Sequence, residues 1–309
     1  MLLLGFGARE RALLVLLSVL WSGAFTLIKV AVWTVPPASL VAGRLLLAAP
    51  ILWLYMRARG ESLPPPGPAW RLYALLAVTG NALPFVLISW GETRIDSGLA
   101  AILMGAMPVM TLLLAHALTG DEPIRRHRLI GIVLGFAGVV VLVGPKALAG
   151  LGGEVLAQLA VLGGGACYAA NMVLARRSPA APVPAATAVT LIGAIIIAPL
   201  AVIVDRPWTL APAAASLAAM AGLALFSTAV ATIVFFVLVA RAGATATAMV
   251  NYLIPAMGFA WGVLFLGEPA TPTAVLALAL ILAAIALVNR VNRATRFSIR
   301  RYLTRPWSG

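Results

Sequence analysis

Residues 105–123 read "GAMPVMTLLLAHALTGDEP", and residues 252–269 read "YLIPAMGFAWGVLFLGEP". Each stretch holds a proline, a long apolar run and a Gly-acid-Pro ending, and the two lie almost half a chain apart. Aligning Pro108 with Pro255 also aligns Arg94 with Arg241 and Gly120 with Gly267, and a one-residue shift aligns Glu122 and Pro123 with Glu268 and Pro269. Earlier segments follow the same pattern: "VLWSGA" at 19–24 matches "VLGGGA" at 161–166, and "AAP" at 48–50 matches "IAP" at 197–199. The chain therefore reads as two homologous halves, 9–146 and 152–290, followed by a basic tail over 291–309.

The solvent follows from composition. Of 309 residues, 62% are hydrophobic and only 10% charged, with a mean hydropathy of +1.05. That leaves too little charge to cover a soluble surface. Apolar runs of about 20 residues between short polar breaks match a bilayer core. The spacing of Pro, Gly and charged clusters predicts helices over 11–32, 38–56, 70–90, 97–118, 128–144, 154–175, 184–204, 214–240, 244–266 and 271–289. A transmembrane β-barrel is excluded, because its strands alternate apolar and polar residues and never give a run such as "LIGAIIIAPLAVIV". The expected fold is an all-α membrane protein of ten transmembrane helices, five in each half.

Charge sets the orientation. With the N-terminus inside, only Arg94, Lys146 and Arg206 among the 22 Lys and Arg fall in outer segments. Lys29 and Arg44 fall within spans, and all the others lie inside, as the positive-inside rule requires of a chain with both termini cytoplasmic. Five spans per half is an odd number, so the second half enters from the opposite side. The halves are thus expected to be inverted repeats about an axis in the membrane plane, a recurrent plan among secondary transporters.

The net charge of +13 does not point to nucleic acid, since the cations are spread over short inner loops and the tail, where lipid headgroups meet them. The aromatic and aliphatic residues among the tail arginines suit a weakly amphipathic helix on the inner surface. The first apolar run is read as a retained span rather than a cleaved leader, because it continues through Val32 and its loss would spoil the repeat. A single Cys167 permits no internal disulfide and reads as a packing residue. With two His and no Walker loop, HExxH or catalytic triad, no enzyme is expected, and no cofactor or metal. Glu92 and Asp96 stand four residues apart but without a second acidic cluster to complete a metal-phosphate site.

The tandem halves, "WSGAFTLIK" in the first span, Arg44 in "GRLLLAAP" of the second, and the "GDEP" and "GEP" segments resemble the drug/metabolite transporter superfamily and its two-repeat EamA-type exporters. The likeness runs from about residue 11 to 289 and is similar in particular to the YddG-type amino-acid exporters. The resemblance implies ten helices around a central cavity, a bacterial inner-membrane location, and export of amino acids or related metabolites by alternating access.

Candidate solute-contacting residues are polar or aromatic groups at depth. Trp21, Ser22, Phe25, Arg44, Asn81, Trp90, Met104, Tyr168, Asn171, Ser227, Thr228, Asn251 and Tyr252 make up this set, in which Asn81 and Thr228 are repeat mates. Each could instead bond a neighbouring helix, a contact worth about 0.6 kcal/mol on average. Pro50, Pro84, Pro108, Pro199 and Pro255 are candidate hinges, because proline frees the carbonyl four residues earlier. Pro108 and Pro255 fall near mid-bilayer, and are expected to break their helices alike.

Two charges lie inside spans. Lys29 sits near the outer end of the first and is expected to snorkel to the interface. Arg44 lies deeper, where a charge costs about 2.5–3.5 kcal/mol at helix centre, and is expected in an outer vestibule, bonding helix-end carbonyls or a substrate carboxylate. All nine acids map to loops or helix ends. With His116 the remaining titratable candidate in a span, facilitated diffusion is expected, with proton-coupled efflux the alternative and a channel a further class. Glu122 and Glu268 are expected to cap the helices that follow them. Gly131, Gly135 and Gly138 give a close-contact face, used within a monomer or in a weak homodimer.

Overall fold

A computed structural model of the chain describes residues 7–119, 126–148, 153–243 and 247–288. The described residues form helices and no strand. In hydrocarbon every backbone N–H and C=O must find its partner inside the protein, which a helix achieves within one segment. The helices are α1 (Ala8–Ala31), α2 (Pro37–Ala58), α3 (Ala69–Glu92), α4 (Ser97–Met104 continuing as Met107–Thr119), α5 (Arg126–Leu148), α6 (Gly153–Ala175), α7 (Pro182–Val204), α8 (Ala214–Ala242), α9 (Val250–Leu266) and α10 (Pro272–Val288). Eight, α1 to α8, are long and apolar enough to cross a membrane, while α9 and α10 are apolar helices of 17 residues each.

Sequence punctuates these rods. Pro37, Pro182 and Pro272 occupy the first positions of α2, α7 and α10, where a missing N–H costs nothing. Gly243 and Gly267 follow α8 and α9 with φ of +82° and +66°, a backbone that glycine adopts without strain. Pro50 and Pro199 stand inside unbroken helices and are exposed on the outside of the bundle.

The first half packs against the second along most of its length. α1 lies against α9 and α8, α2 against α7 and α8, α4 against α9, and α5 against α10, while α6 lies against α3 and α4. Between helices in lipid the driving force is close packing rather than water exclusion, and the contacts accordingly fall at small residues. A Cβ on Gly91 of α3 would stand 2.9 Å from the Ala157 carbonyl of α6. The α5 glycine face is used within the chain: a Cβ on Gly131 would lie 3.0 Å from the Ala284 carbonyl, and one on Gly138 would lie 3.2 Å from that of Ala277.

Two local expectations are corrected, and Lys29 is given its partners. α4 is interrupted at Gly105 and Ala106, whose N–H groups turn to the carbonyls three residues back, Ile102 (3.0 Å) and Leu103 (3.1 Å). Its repeat mate α9, however, runs helical through Pro255. The second half is interrupted earlier instead, at Ala248 and Met249, where the N–H groups of Asn251 and Tyr252 turn to the carbonyls three residues back, Ala248 (3.2 Å) and Met249 (3.1 Å). Lys29 finds its partners at the end of the span: its Nζ donates to the backbone oxygens of Glu92 (2.9 Å) and Ile95 (2.7 Å), satisfying carbonyls where α3 ends. Glu268 does not cap α10, whose start is capped by the Thr271 hydroxyl accepting from Ala274 N at 3.2 Å. It reaches instead to α4, accepting from the N–H groups of Ser97 and Gly98. The expected cap at Glu122 and the tail 291–309 lie outside the described residues.

Candidate functional site

Helices α1 to α4 and α6 to α9 enclose a cavity of about 440 Å³ to which α5 and α10 contribute no described residue. Two local irregularities shape its wall. Val78–Ala82 of α3 and Leu223–Val230 of α8 are π-helical, a form that recurs at functional sites because it re-aims side chains and leaves carbonyls to be satisfied from elsewhere. These segments carry the repeat mates Asn81 and Thr228, and both line the cavity.

Arg44 from α2 is the charged centre. It is 5% exposed; its Nε donates to Thr228 Oγ1 at 2.7 Å, and its guanidinium lies over the Phe85 ring, 3.8 Å from the centroid. Thr228 donates in turn to the Leu223 carbonyl at 3.0 Å. The arginine is thus fixed by a hydroxyl of the second half and an aromatic face of the first, both interactions that favour a guanidinium. Among the described residues no helix-end carbonyl holds it, unlike the sequence expectation; the π-helical turn of α8 supplies its acceptor instead. Gly193, the repeat mate of Arg44, gives α7 its close approach to α2 and α3: a Cβ there would meet Leu45 at 3.2 Å and Asn81 at 3.4 Å.

Trp21, Phe25, Arg44, Asn81, Met104, Tyr168, Asn171, Ser227, Thr228 and Asn251 all line this one space, with Pro108 and Pro255. Asn171 donates to the Leu76 carbonyl (2.9 Å) and to Thr79 Oγ1 (3.1 Å), meeting the π-helical segment of α3. The Phe85 ring is edge-on to Tyr168, 6.4 Å between centroids, so one aromatic residue contacts both Arg44 and Tyr168.

Three candidates lie elsewhere. Ser22 is fully buried and accepts from Trp261 Nε1 at 2.9 Å, joining α1 to α9. Tyr252 donates to the Ile285 carbonyl at 3.1 Å, joining α9 to α10. Trp90 carries the Arg94 guanidinium 4.7 Å above its ring, outside the cavity lining. Pro50, Pro84 and Pro199 are not in the lining either, and His116 is exposed and away from it.

Sequence reasoning missed Phe85, Thr190, Thr232, Phe235 and Thr247, which also line the space. The threonines carried a usable signal, being hydroxyls inside apolar runs. Phe85 carried none, since its importance comes from the side chain placed above it.

The two ends of the cavity differ. Ile28 and Ile88, each 4% exposed, close one end. Just past them lie Lys29, Glu92 and the α4 start that Glu268 caps. Glu92 is fully buried, and neither of its carboxylate oxygens has a hydrogen-bond partner among the described residues; Lys29 and Glu268 lie within electrostatic reach of it. At the other end, near the last turns of α6 and α8, the lining residue Met172 is 48% exposed.

A helical bundle with one chamber at its centre, walled by both halves and sealed at one end, is the architecture of a multi-pass membrane protein that handles a small solute. The model of the EamA-like transporter family matches residues 10–144 and 155–290, and the chain belongs to that family, within the drug/metabolite transporter superfamily. Among relatives, a probable terminal-alkyne amino-acid exporter of Streptantibioticus cattleyicolor is 28% identical over 285 residues, covering 90% of this chain and 92% of the relative. The uncharacterized inner membrane transporter YedA of Escherichia coli is 26% identical over 277 residues, 88% of each chain. A protein solved by crystallography shares the fold over 96% of this chain and 99% of its own, at 20% identity and a TM-score of 0.64.

Proposed function

We propose that this protein is a bacterial inner-membrane secondary transporter that exports amino acids or related small metabolites by alternating access. Its ten helices would span the membrane as two inverted five-helix repeats, with both termini cytoplasmic. The observation that carries the reading is the central cavity: both halves wall it, a bond between them fixes Arg44 in it, and its ends are unlike. The packing supports the two-fold relation, because exchanging the halves turns the α1–α9 contact into α6–α4 and α1–α8 into α6–α3, and returns α2–α7, α4–α9 and α5–α10 to themselves.

The sealed end carries Lys29 and the α3–α4 connection, and the exposed end lies by Arg176, Arg177 and Arg241. With the arginine-rich end inside, this is an inward-facing state, ready to load a solute from the cytoplasm. Exchanging the shapes of the two halves would open the opposite end around the same midplane site.

Facilitated movement down a solute gradient is the simpler mode, since none of the described lining residues is a carboxylate. A proton-coupled mode is the second reading, favoured by one observation: the Glu92 carboxylate is fully buried without a hydrogen-bond partner among the described residues.

Purified protein in liposomes, given a panel of labelled neutral and aromatic amino acids with and without an imposed pH gradient, tests the proposal. Saturable flux that accelerates when unlabelled solute is preloaded is expected of a carrier and not of a channel. Insensitivity to the gradient is expected for uncoupled exchange, and accumulation driven by it would select the Glu92 reading. Absence of flux for the whole panel, from folded protein, would remove amino acids as the solute class.

A further inference from the structure

We infer that the cavity sorts solutes by charge: it takes singly charged carboxylates with an apolar body and an uncharged α-substituent ahead of zwitterionic amino acids, and takes amines last. The inference rests on reading the cavity as the transport site.

Charge on the wall carries the argument. Among the described lining residues Arg44 is the one formal charge, with no Asp, Glu, Lys or His beside it. Arg44 is buried as a residue, and a guanidinium held in such surroundings needs an anion or a full set of acceptors. Thr228 takes Nε, and Phe85 takes one face. The two Nη groups and the Tyr168 hydroxyl make no hydrogen bond with a described residue, and both residues line the cavity. Arg44 and Tyr168 are held on the same phenyl ring. Paired Nη donors and a phenolic O–H on one side of a chamber suit a carboxylate, whose planar oxygens accept two guanidinium hydrogens at once.

An ammonium group finds no such counterpart. The acceptors left to it are neutral, chiefly the side-chain oxygens of Asn81, Asn171 and Asn251. A second cation would meet the field of Arg44 in a chamber walled largely by apolar groups, where like charges repel more strongly than in bulk solvent. A hydroxyl, a ketone or an acylated nitrogen in the same place can bond to those amides and brings no charge. The rest of the chamber, with Trp21, Phe25, Ile28, Ile88, Phe235 and Ile254, offers apolar surface to the solute body.

The test uses four solutes with the same benzyl body: phenyllactate, N-acetylphenylalanine, phenylalanine and phenethylamine. Competition for counterflow in liposomes and the rise in thermal stability of the detergent-purified protein are read side by side. Expected is an affinity for the two carboxylates about tenfold or more above that for phenylalanine, with phenethylamine weakest. Arg44→Gln should collapse that order. Because this variant also loses the bond to Thr228, Thr228→Ala is measured beside it; it keeps the charge and should keep the order.

Phenylalanine or phenethylamine binding as well as the carboxylates would overturn the inference, as would an unchanged order in folded Arg44→Gln. The expected order in the stability readout with no flux would support charge selection while refuting the transport reading. No binding and no flux from any of the four would overturn both.

Discussion

The carboxylate of Glu268 accepts from the backbone N–H of Ser97 at 2.7 Å and from that of Gly98 at 2.8 Å, so an acid at the end of α9 caps the beginning of α4 in the other half. Two orphan donors and the positive end of a helix dipole are satisfied together. Removing the cap with Glu268→Ala should lower stability by about 1–2 kcal/mol. Glu268→Gln should cost less, since one acceptor oxygen remains. Thermal unfolding in detergent orders the three proteins, and an alanine variant as stable as the parent would show that water serves the helix end equally well.

Lys29 and Glu92 make a second joint at the same sealed end. The lysine is bound by two carbonyls, one of them the backbone oxygen of Glu92, whose buried carboxyl group lies on the same connection. Lys29→Met should therefore cost about 2–4 kcal/mol, from the loss of two charge-assisted bonds and the carbonyls left without a donor. Glu92→Gln leaves the backbone bond intact and removes only that acid. The double variant should be more stable than the sum of the single losses predicts, by about 1 kcal/mol or more in a mutant cycle. Strict additivity would mean that the Lys29 ammonium and the Glu92 carboxyl group do not sense each other.

Much of this arrangement was legible in the residues, and the illegible part has a common cause. Apolar run lengths gave the helical class, because a bilayer leaves the backbone little choice. Asn81, Tyr168, Thr228 and Asn251 stood out as polar groups in apolar runs and do line one cavity. Ser22 and Tyr252 stood out equally, but their hydroxyls are engaged by Trp261 and by the Ile285 carbonyl, partners that only the packing of α9 brings near. Capping rules put Glu268 on the helix that follows it because they are local, while the cap it makes crosses the chain to α4. The π-helical turns have no sequence signature of their own; the one in α3 is met by Asn171 from α6.

The face between α5 and α10 gives a prediction with an internal control. A Cβ on Gly138 would lie 2.8 Å from Ile281 Cγ1 and 3.2 Å from the Ala277 carbonyl, while one on Gly23 would meet nothing within 4 Å. Backbone cannot rotate away as a side chain can, so Gly138→Ala must push α10 off α5. A loss of about 1–3 kcal/mol is expected. Gly23→Ala, also in a helix, should be neutral or gain up to about 1 kcal/mol. Unfolding of both in the same detergent decides it, and equal behaviour would mean that the α5–α10 contact is looser than its geometry.

Gly80 tests the cavity wall itself. It lies in the π-helical turn of α3, and a Cβ there would stand 2.6 Å from Asn171 Nδ2, the atom that bonds Leu76 and Thr79. Gly80→Ala should expel the asparagine from that position, leaving the Leu76 carbonyl without its partner and pushing an amide into the solute space. Half-saturation for transported solute should rise about tenfold, equivalent to ~1.4 kcal/mol of binding, with a stability loss of about 1–2 kcal/mol from the orphaned carbonyl. The double variant Gly80→Ala with Asn171→Ala relieves the collision without restoring the amide. It should recover solute affinity more than stability if crowding is what weakens binding, and neither if Asn171 contacts the solute directly. Unchanged transport by Gly80→Ala would remove the α3 turn from the wall of the site.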